Sequence, residues 1–311
     1  MTQTIRTIIM TGATRGIGRF AAIDMLRDAP DLHLALIVRS SDNQAFVDEI
    51  ASASGNPNVS AVTADLASLA SIRTATAELV ARLDSGQLPP LHGFVGNAGL
   101  QFQNATQVTP DGFEQTFAVN VLANHLLIHD LVDHFVPPAR IVLTTSDTHF
   151  GDFAHTGGMV PAPRWSDAER LSRPGTFEHP ETQTAGGRAY STSKLGVIYL
   201  VHELARRLPP GVPVYSFNPG LVPGTGLARD RGRLARFAWR VIMPVIALTP
   251  IATRPADAGA NLAAAAIGPI PGENGAYINR RRAERSSAES YDRAREAELW
   301  DTADRLCETG R

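Results

Sequence analysis

The sequence is poor in cysteine, with Cys307 as the single one among 311 residues. One cysteine excludes an internal disulfide and a thiolate metal site, and it is typical of a reducing compartment. The histidines in the middle of the chain, His149, His155 and His179, lack the close spacing and carboxylate neighbours of a metal site. We therefore expect no metal and interpret His149 as a loop residue that faces the substrate.

Neither sign of charge is in excess, because 29 Lys and Arg stand against 31 Asp and Glu, for a formal net charge of −2. The overall charge therefore does not attract nucleic acid or an anionic membrane, and we expect a small-molecule partner. No signal-peptide pattern precedes the first apolar run, which predicts a cytoplasmic location. The stretch 227–248 is too short and too interrupted by arginine to span a bilayer, so peripheral membrane contact is the lesser alternative.

What the chain does contain is a large apolar fraction, 43% of its residues. That fraction suffices for the core of one large α/β domain or two small ones. No internal repeat and no linker marks a boundary. We therefore predict a single domain over residues 1–311.

A glycine-rich turn, 11–18, follows the first predicted strand, 8–12, and precedes an amphipathic helix. Glycines let a backbone approach a pyrophosphate closely, and the helix N-terminus adds free N–H groups. The spacing G-x-x-x-G-x-G differs from the dinucleotide fingerprint G-x-G-x-x-G, so an ordinary βα turn stays the alternative. The residues expected to hold a cofactor here are Gly12, Thr14, Arg15, Gly16, Ile17 and Gly18.

Arg39 follows the second predicted strand, 34–38, where a dinucleotide fold meets the adenosine ribose. An acidic residue at this place would bind a 2′-hydroxyl, whereas an arginine suits a 2′-phosphate. Arg15 could close on the same phosphate. The pair predicts NADP(H), with two solvated surface arginines as the alternative.

Other turns at predicted strand ends supply further cofactor contacts. Asp65, after the third strand at 59–64, would bond the adenine amino group or cap the helix that starts near Ser68, and both interpretations stay open. The fourth and sixth strands, 92–95 and 212–217, each run into a turn of small residues. The candidates in this group are Asp65, Leu66, Asn97, Ala98, Gly99, Pro219, Gly220 and Thr225.

The strongest chemical signal is Tyr190 with Lys194 four residues later in a helical pattern. Residues four apart share a helix face, and an ammonium beside a phenol favours the phenolate, so the pair could move a proton. Ser146 ends the fifth strand, 141–146, where ligands bind in parallel sheets. Asn120 places an amide among apolar residues of a predicted helix, 112–135, where it needs partners.

Two segments are expected to cover the substrate. The stretch 147–188 is rich in Gly, Pro and charge, and loops of this length are commonly functional lids. The stretch 227–248 carries Phe237 and Trp239 and is predicted to face it across the substrate. A charged helical tail is predicted over 283–308.

Taken in order, Gly12, Gly16, Gly18, Asp65, Asn97 to Gly99, Asn120, Ser146, Tyr190, Lys194 and Pro219-Gly220 make the chain resemble the classical short-chain dehydrogenase/reductases over residues 5 to about 280. The resemblance implies a Rossmann-type, doubly wound parallel sheet of seven strands with helices on both faces. It also implies four catalytic roles: Tyr190 as general acid or base, Lys194 lowering the pKa of Tyr190 and binding the nicotinamide ribose, Ser146 polarising the carbonyl, and Asn120 holding a water.

The long gap between Ser146 and Tyr190 is similar to that of the retinol dehydrogenase and protochlorophyllide reductase branch, which implies a large apolar substrate. Resemblance to the protochlorophyllide reductases, which reduce a C=C bond, would imply a cysteine in the active site. Cys307 instead lies near the C-terminus, so we favour carbonyl or alcohol chemistry over C=C reduction. A catalytically silent NADP(H)-binding sensor and a lyase or epimerase remain the rival classes. The oligomeric state stays open, with a homodimer as one option.

Overall fold

One mixed sheet forms the centre of the computed structural model, which describes residues 6–39, 43–222 and 252–308. The strand order is β3-β2-β1-β4-β5-β6-β7-β8, and all neighbours are parallel except β7 and β8. The strands are β1 (Arg6–Thr11), β2 (Leu32–Val38), β3 (Val59–Thr63), β4 (Leu91–Gly96), β5 (Phe135–Thr144), β6 (Val214–Asn218), β7 (Tyr277–Asn279) and β8 (Arg282–Glu284). The order reverses between β1 and β4, which opens a crevice at their carboxyl ends.

Helices cover both faces of this sheet. They are α1 (Gly16–Asp28), α2 (Gln44–Ser54), α3 (Leu69–Asp84), α4 (Gln115–Phe117), α5 (Ala123–Leu131), α6 (Phe153–Thr156), α7 (Ala168–Leu171), α8 (Gln183–Arg207), α9 (Pro255–Ile267) and α10 (Arg293–Glu308). In β1, Ile8 and Met10 face a core shared with α1, α2 and α9, whereas Ile9 faces a core shared with α3, α5, α8 and α10. This alternation is the period of a strand, and it confirms the predicted doubly wound fold.

The strand count differs from the expected seven, because the sheet has an eighth, antiparallel strand. Tyr277 pairs with Glu284 and Asn279 with Arg282, so β7 and β8 form a hairpin. All three residues of β8 are exposed. A strand this short and polar gives no alternating signal, so the prediction that the C-terminal helix starts at 283 is wrong for Ala283 and Glu284.

Three predicted segments also have different boundaries in the structure. The helix expected over 112–135 begins at Gln115, continues through a π-helical turn, Ala118–Leu122, and ends at Leu131. The tail helix begins at Arg293 rather than at 283. Helix α8 begins at Gln183, so the loop predicted to reach residue 188 is shorter and includes α6 and α7.

The first turns of α8 carry two glycines instead of an apolar stripe, so the sequence pattern does not indicate a helix there. A Cβ on Gly186 would lie 2.6 Å from the backbone nitrogen of Asn104, and one on Gly187 would lie 2.8 Å from Pro161. The segments around Asn104 and Pro161 therefore pack directly on the backbone of α8. Among the described residues, no helix has the length and apolar character needed to cross a membrane.

Helix α10 is fastened to α8 by a buried carboxylate. Glu296 is 2% exposed, and its two oxygens lie 2.7 Å from His202 Nδ1 and 2.6 Å from Arg206 Nη2. Arg206 also pairs with Glu203, at 2.6 Å. His202 and Arg206 therefore each supply a hydrogen bond to a carboxylate that would be costly to bury alone.

We predict that Glu296→Gln lowers the free energy of unfolding by about 1 to 3 kcal/mol, because charge-assisted hydrogen bonds to two partners are weakened without a change of shape. Urea unfolding at pH 7 measures the effect. Glu78→Gln removes an exposed partner of Arg82 and should cost less than about 0.5 kcal/mol. An equal cost for both variants would contradict a special role for Glu296.

Candidate active site

The glycine turn and the turn after β4 are packed against each other. Gly12 has φ +72°, and a Cβ on it would lie 2.6 Å from the nitrogen of Ala98. Asn97 Nδ2 donates to the Gly12 carbonyl at 3.0 Å, and the Ala98 N–H donates to Thr11 Oγ1 at 3.0 Å. A Cβ on Gly18 would overlap both the Gly12 carbonyl and the Asn97 amide. The two strand ends therefore form one surface that only glycine permits.

Helix α1 starts at the edge of this surface. It begins at Gly16 without a capping hydrogen bond from the side chain of its N-cap residue, Arg15. The N–H groups of a first helical turn and the positive end of the dipole suit an anionic group such as a phosphate. Thr14 is exposed, and Ile17 packs partly against the core. These features fit the predicted pyrophosphate of a dinucleotide.

Arg39 and Arg15 lie at the same edge of the sheet. Arg39 directly follows β2, Arg15 directly precedes α1, and both are exposed. Strands β1 and β2 are parallel neighbours, with Thr11 paired to Ile37. The chain therefore brings both arginines to the carboxyl ends of adjacent strands.

Asp65 does not cap α3, so one of its two interpretations is wrong. The cap is Ser68, whose Oγ accepts from the Ser71 N–H at 3.3 Å. Asp65 Oδ1 instead accepts from the Ala67 N–H at 3.1 Å and shapes the turn after β3. Leu66 packs partly against the core. The adenine contact remains a prediction for Asp65.

Tyr190 and Lys194 lie one turn apart on α8, and both are buried. The Lys194 Nζ lies 5.6 Å from the centroid of the Tyr190 ring and donates to the Thr144 carbonyl at 2.9 Å. The Thr145 hydroxyl donates to the Lys194 carbonyl at 2.7 Å. Two bonds therefore hold α8 against the end of β5.

Burial shifts the pKa of both groups. It raises the pKa of Tyr190 to about 12, partly offset by a hydrogen bond with the Ser146 side chain. It lowers the pKa of Lys194 to about 8. In the folded chain, burial outweighs any lowering of the Tyr190 pKa by Lys194, and the role that the resemblance implies for Lys194 stays a prediction.

Ser146 stands beside Tyr190, at the N-cap of a short 3-10 turn, Asp147–Phe150. Its Oγ accepts from the Thr148 N–H at 3.3 Å. The Ser146 side chain lies close enough to the Tyr190 hydroxyl to lower its pKa. An oxygen atom placed over both hydroxyls would meet two O–H donors.

Asn120 lies in the π-helical turn and is fully buried. Its Oδ1 accepts from the Leu100 N–H at 2.9 Å, and its Nδ2 donates to the Leu100 carbonyl at 3.1 Å and to Ser193 Oγ at 2.9 Å. A Cβ on Gly99 would lie 3.3 Å from both Asn120 Oδ1 and Lys194 Nζ. Both N–H groups of the amide are therefore used within the chain, where they fix the 99–100 turn over α8.

The turn after β6 has two neighbours that the sequence did not indicate. Gly220 has φ +77°, and its N–H donates to Asn218 Oδ1 at 3.2 Å. A Cβ on Gly220 would lie 2.8 Å from both Arg280 Nε and Thr253 Oγ1. Arg280 directly follows β7. Its place at a strand end is the one sequence feature that could have indicated a site residue. Pro219 precedes Gly220 in this turn.

Thr225, Phe237 and Trp239, with the stretch 227–248, lie outside the described residues.

His149 is fully buried: its Nδ1 lies 2.6 Å from the Ser146 carbonyl oxygen, and its Nε2 lies 3.2 Å from the Ser287 nitrogen. Both ring nitrogens are therefore engaged, and the substrate contact expected of His149 gives way to a contact inside the fold. Within the described ranges, no cluster of His, Cys, Asp or Glu could hold a metal ion.

Comparisons with known proteins agree with this geometry. Residues 6–157 match the family model for short chain dehydrogenases. The chain is 32% identical over 299 residues to a candidate daunorubicin C-13 ketoreductase, DnrU, of Streptomyces sp. (strain C5), covering 96% of this chain and 91% of that protein. It is also 32% identical to human retinol dehydrogenase 13, covering 73% of this chain and 62% of that protein.

Among solved structures, a blue fluorescent protein from a metagenomic library, in complex with NADPH, shares the fold. Its TM-score is 0.61 at 24% identity, over 90% of this chain and 97% of that one. The order of motifs, the sheet and the relatives agree. The chain belongs to the short-chain dehydrogenase/reductase family, in its retinol dehydrogenase-like branch.

Proposed function

We propose that the protein is an NADP(H)-dependent oxidoreductase that interconverts a carbonyl and an alcohol on a fairly large apolar substrate. The observation that carries the proposal is the meeting of the Tyr190 and Ser146 hydroxyls and the Lys194 ammonium at the end of β5. The crevice beside them is walled by the glycine turn and Asn97, which fit a dinucleotide.

Tyr190 is suited to act as the proton donor. With a pKa of about 12, its phenol keeps the proton at neutral pH, and it can give that proton to an alkoxide as the alkoxide forms. The Ser146 hydroxyl, beside it, donates to the same oxygen and stabilises the developing charge. Bound NADPH would supply the hydride.

Lys194 serves two ends in this proposal. Its ammonium, held by the Thr144 carbonyl, lies close enough to favour loss of the Tyr190 proton in the alcohol-oxidising direction. Its position beside Gly99 suits a hydrogen bond to the hydroxyls of the nicotinamide ribose. Asn120 supports both by fixing the 99–100 turn, and a relay water at Asn120 remains part of the proposal.

The relatives support the choice of substrate class. One relative is named for the ketone group of daunorubicin and the other for retinol. By analogy with them, we propose a large apolar carbonyl or alcohol as the substrate of this protein. The closed position of His149 leaves Ser146 and Tyr190 as the proposed substrate-binding groups among the described residues.

We predict that Tyr190→Phe lowers kcat for carbonyl reduction by roughly 10² to 10⁴, because general acid catalysis typically contributes that factor. The Kd for NADPH should stay within about threefold, since the ring and its packing remain. Absorbance of NADPH with a panel of apolar aldehydes, ketones and quinones measures turnover, and fluorescence titration measures binding.

Ser146→Ala provides the comparison for Tyr190→Phe. It should also slow carbonyl reduction strongly, whereas a C=C reductase that polarises no oxygen at this place should respond weakly. Near wild-type kcat in Tyr190→Phe would contradict the mechanism and favour a binding protein without catalysis.

We predict a preference for NADPH over NADH on the order of tenfold to a hundredfold, because charge-assisted bonds from Arg39 and Arg15 to a 2′-phosphate are worth roughly 1.5 to 3 kcal/mol. Arg39→Asp should abolish or reverse the ratio of the two kcat/KM values. Arg82→Asp, at the far end of α3, is the matched control for lost charge and should keep it. An Arg39→Asp enzyme that still prefers NADPH would refute the assignment.

We predict that Lys194 titrates near pH 8 in the folded chain and near pH 10.5 in urea, because burial lowers its pKa from 10.5 to about 8. Lys194 is the single lysine of the sequence, so ε-¹⁵N-lysine NMR gives one side-chain signal. Folding disfavours the ammonium, so the contribution of Lys194 to stability is least favourable below pH 8 and improves as the pH rises to 10.5. A folded-state midpoint above pH 10 would contradict the buried environment.

A further inference from the structure

The imidazole of His149 joins Ser146 to a distant part of the chain. Along the sequence, His149 lies three residues after Ser146 and 138 residues before Ser287. Its Nδ1 lies 2.6 Å from the Ser146 carbonyl oxygen, and its Nε2 lies 3.2 Å from the Ser287 backbone nitrogen. The ring is fully buried.

These two partners determine where the ring proton lies. A carbonyl oxygen can only accept, so Nδ1 carries the proton and donates it to Ser146. A backbone N–H can only donate, so Nε2 is unprotonated and accepts from Ser287. The ring is therefore neutral, in accord with burial that lowers the pKa of His149 to about 4 against the opposing effects of the Ser146 carbonyl, Asp147 and Asp152.

The far partner is itself anchored. Ser287 lies in the segment 286–291, where Ser290 Oγ lies 2.6 Å from Ser286 Oγ and donates to the Ser287 carbonyl at 2.7 Å. The Tyr199 hydroxyl donates to the Glu289 carbonyl at 3.0 Å. Tyr199 belongs to α8, the helix that carries Tyr190. Ser287 is therefore fixed to the same helix as the proposed proton donor.

We propose that His149 is a positioning residue that transmits the placement of the segment 286–291 to the backbone of Ser146. The inference rests on the proposed function, in which Ser146 and Tyr190 bind one oxygen atom. A closed circuit then runs from Tyr190 along α8 to Tyr199, through the segment 286–291 to His149, and back to Ser146. In this proposal the circuit keeps the two hydroxyls at a constant separation.

Two substitutions of His149 by an amide residue separate the effects of its hydrogen bonds to Ser146 and Ser287. The Asn side-chain nitrogen falls near the position of His Nδ1, so His149→Asn can still donate to Ser146 but cannot reach Ser287. The Gln amide falls near Nε2, so His149→Gln can still accept from Ser287 but no longer holds Ser146. Each variant loses one hydrogen bond, so both should lower Tm to a similar extent.

The expected result is a difference in kcat between the variants. His149→Asn should keep kcat within about threefold of wild type, whereas His149→Gln should lose on the order of tenfold to a hundredfold, because small misplacements of a catalytic group have effects of that size. The Kd for NADPH should be unchanged in both. Ser287→Ala removes a hydroxyl that makes no hydrogen bond among the described residues and keeps the backbone N–H, so its kcat should equal wild type.

Equal losses of kcat in the two variants, or a larger loss in His149→Asn, would overturn the inference and leave His149 as a packing residue. A second measurement needs neither variant nor activity. In ¹⁵N-histidine NMR of the wild-type chain at pH 5, His149, assigned by its contacts to Ser146 and Ser287, should be neutral with its proton on Nδ1. A proton on Nε2 would overturn the inference, whereas absent turnover of every carbonyl by wild type would refute only the proposed function.

Discussion

A single buried ammonium determines where the parts of the site meet. Lys194 is 3% exposed and donates to the carbonyl of Thr144, the last residue of β5, at 2.9 Å. A buried cation without a partner is costly, so helix and strand are kept in one register. Thr145 adds a bond back to the Lys194 carbonyl. Ser146 comes next in the chain and consequently lies beside Tyr190.

Helix α8 carries this register to the rest of the molecule. Through Ser193 it holds Asn120 and the turn after β4, and through Tyr199 it holds the segment 286–291. Through His202 it binds the carboxylate of Glu296 on α10. Helix α10 contributes no group to the proposed chemistry, but it is bound to the helix that carries Tyr190 and Lys194. Helix α8 therefore contributes both to the stability of the fold and to the proposed catalysis.

The cofactor side of the crevice depends instead on missing side chains. Gly12 and Gly18 allow the turns after β1 and β4 to touch, and Asn97 closes the contact with one hydrogen bond. The first N–H groups of α1 follow this contact and suit an anion. The two halves of the site are thus built on opposite principles, a buried charge on one side and bare backbone on the other.

The sequence by itself determined the features that are local. The fold class was predictable because apolar runs and helical patterns alternate along the chain, and the pairing of Tyr190 with Lys194 was predictable because four residues make one helical turn. The glycine turn was also predictable, because its glycines lie within eight consecutive residues, 11–18. Each of these signals lies within a few residues.

Only the tertiary structure decided the rest. The first turns of α8 pack through Gly186 and Gly187 on Asn104 and Pro161, one of the two partners of the His149 ring lies 138 residues away, and Ser68 rather than Asp65 caps α3. The pKa of Tyr190 follows from burial by the whole fold rather than from the adjacent lysine. These properties arise from groups that meet only when the chain has folded, because desolvation and hydrogen bonding depend on distance in space, not on distance along the sequence.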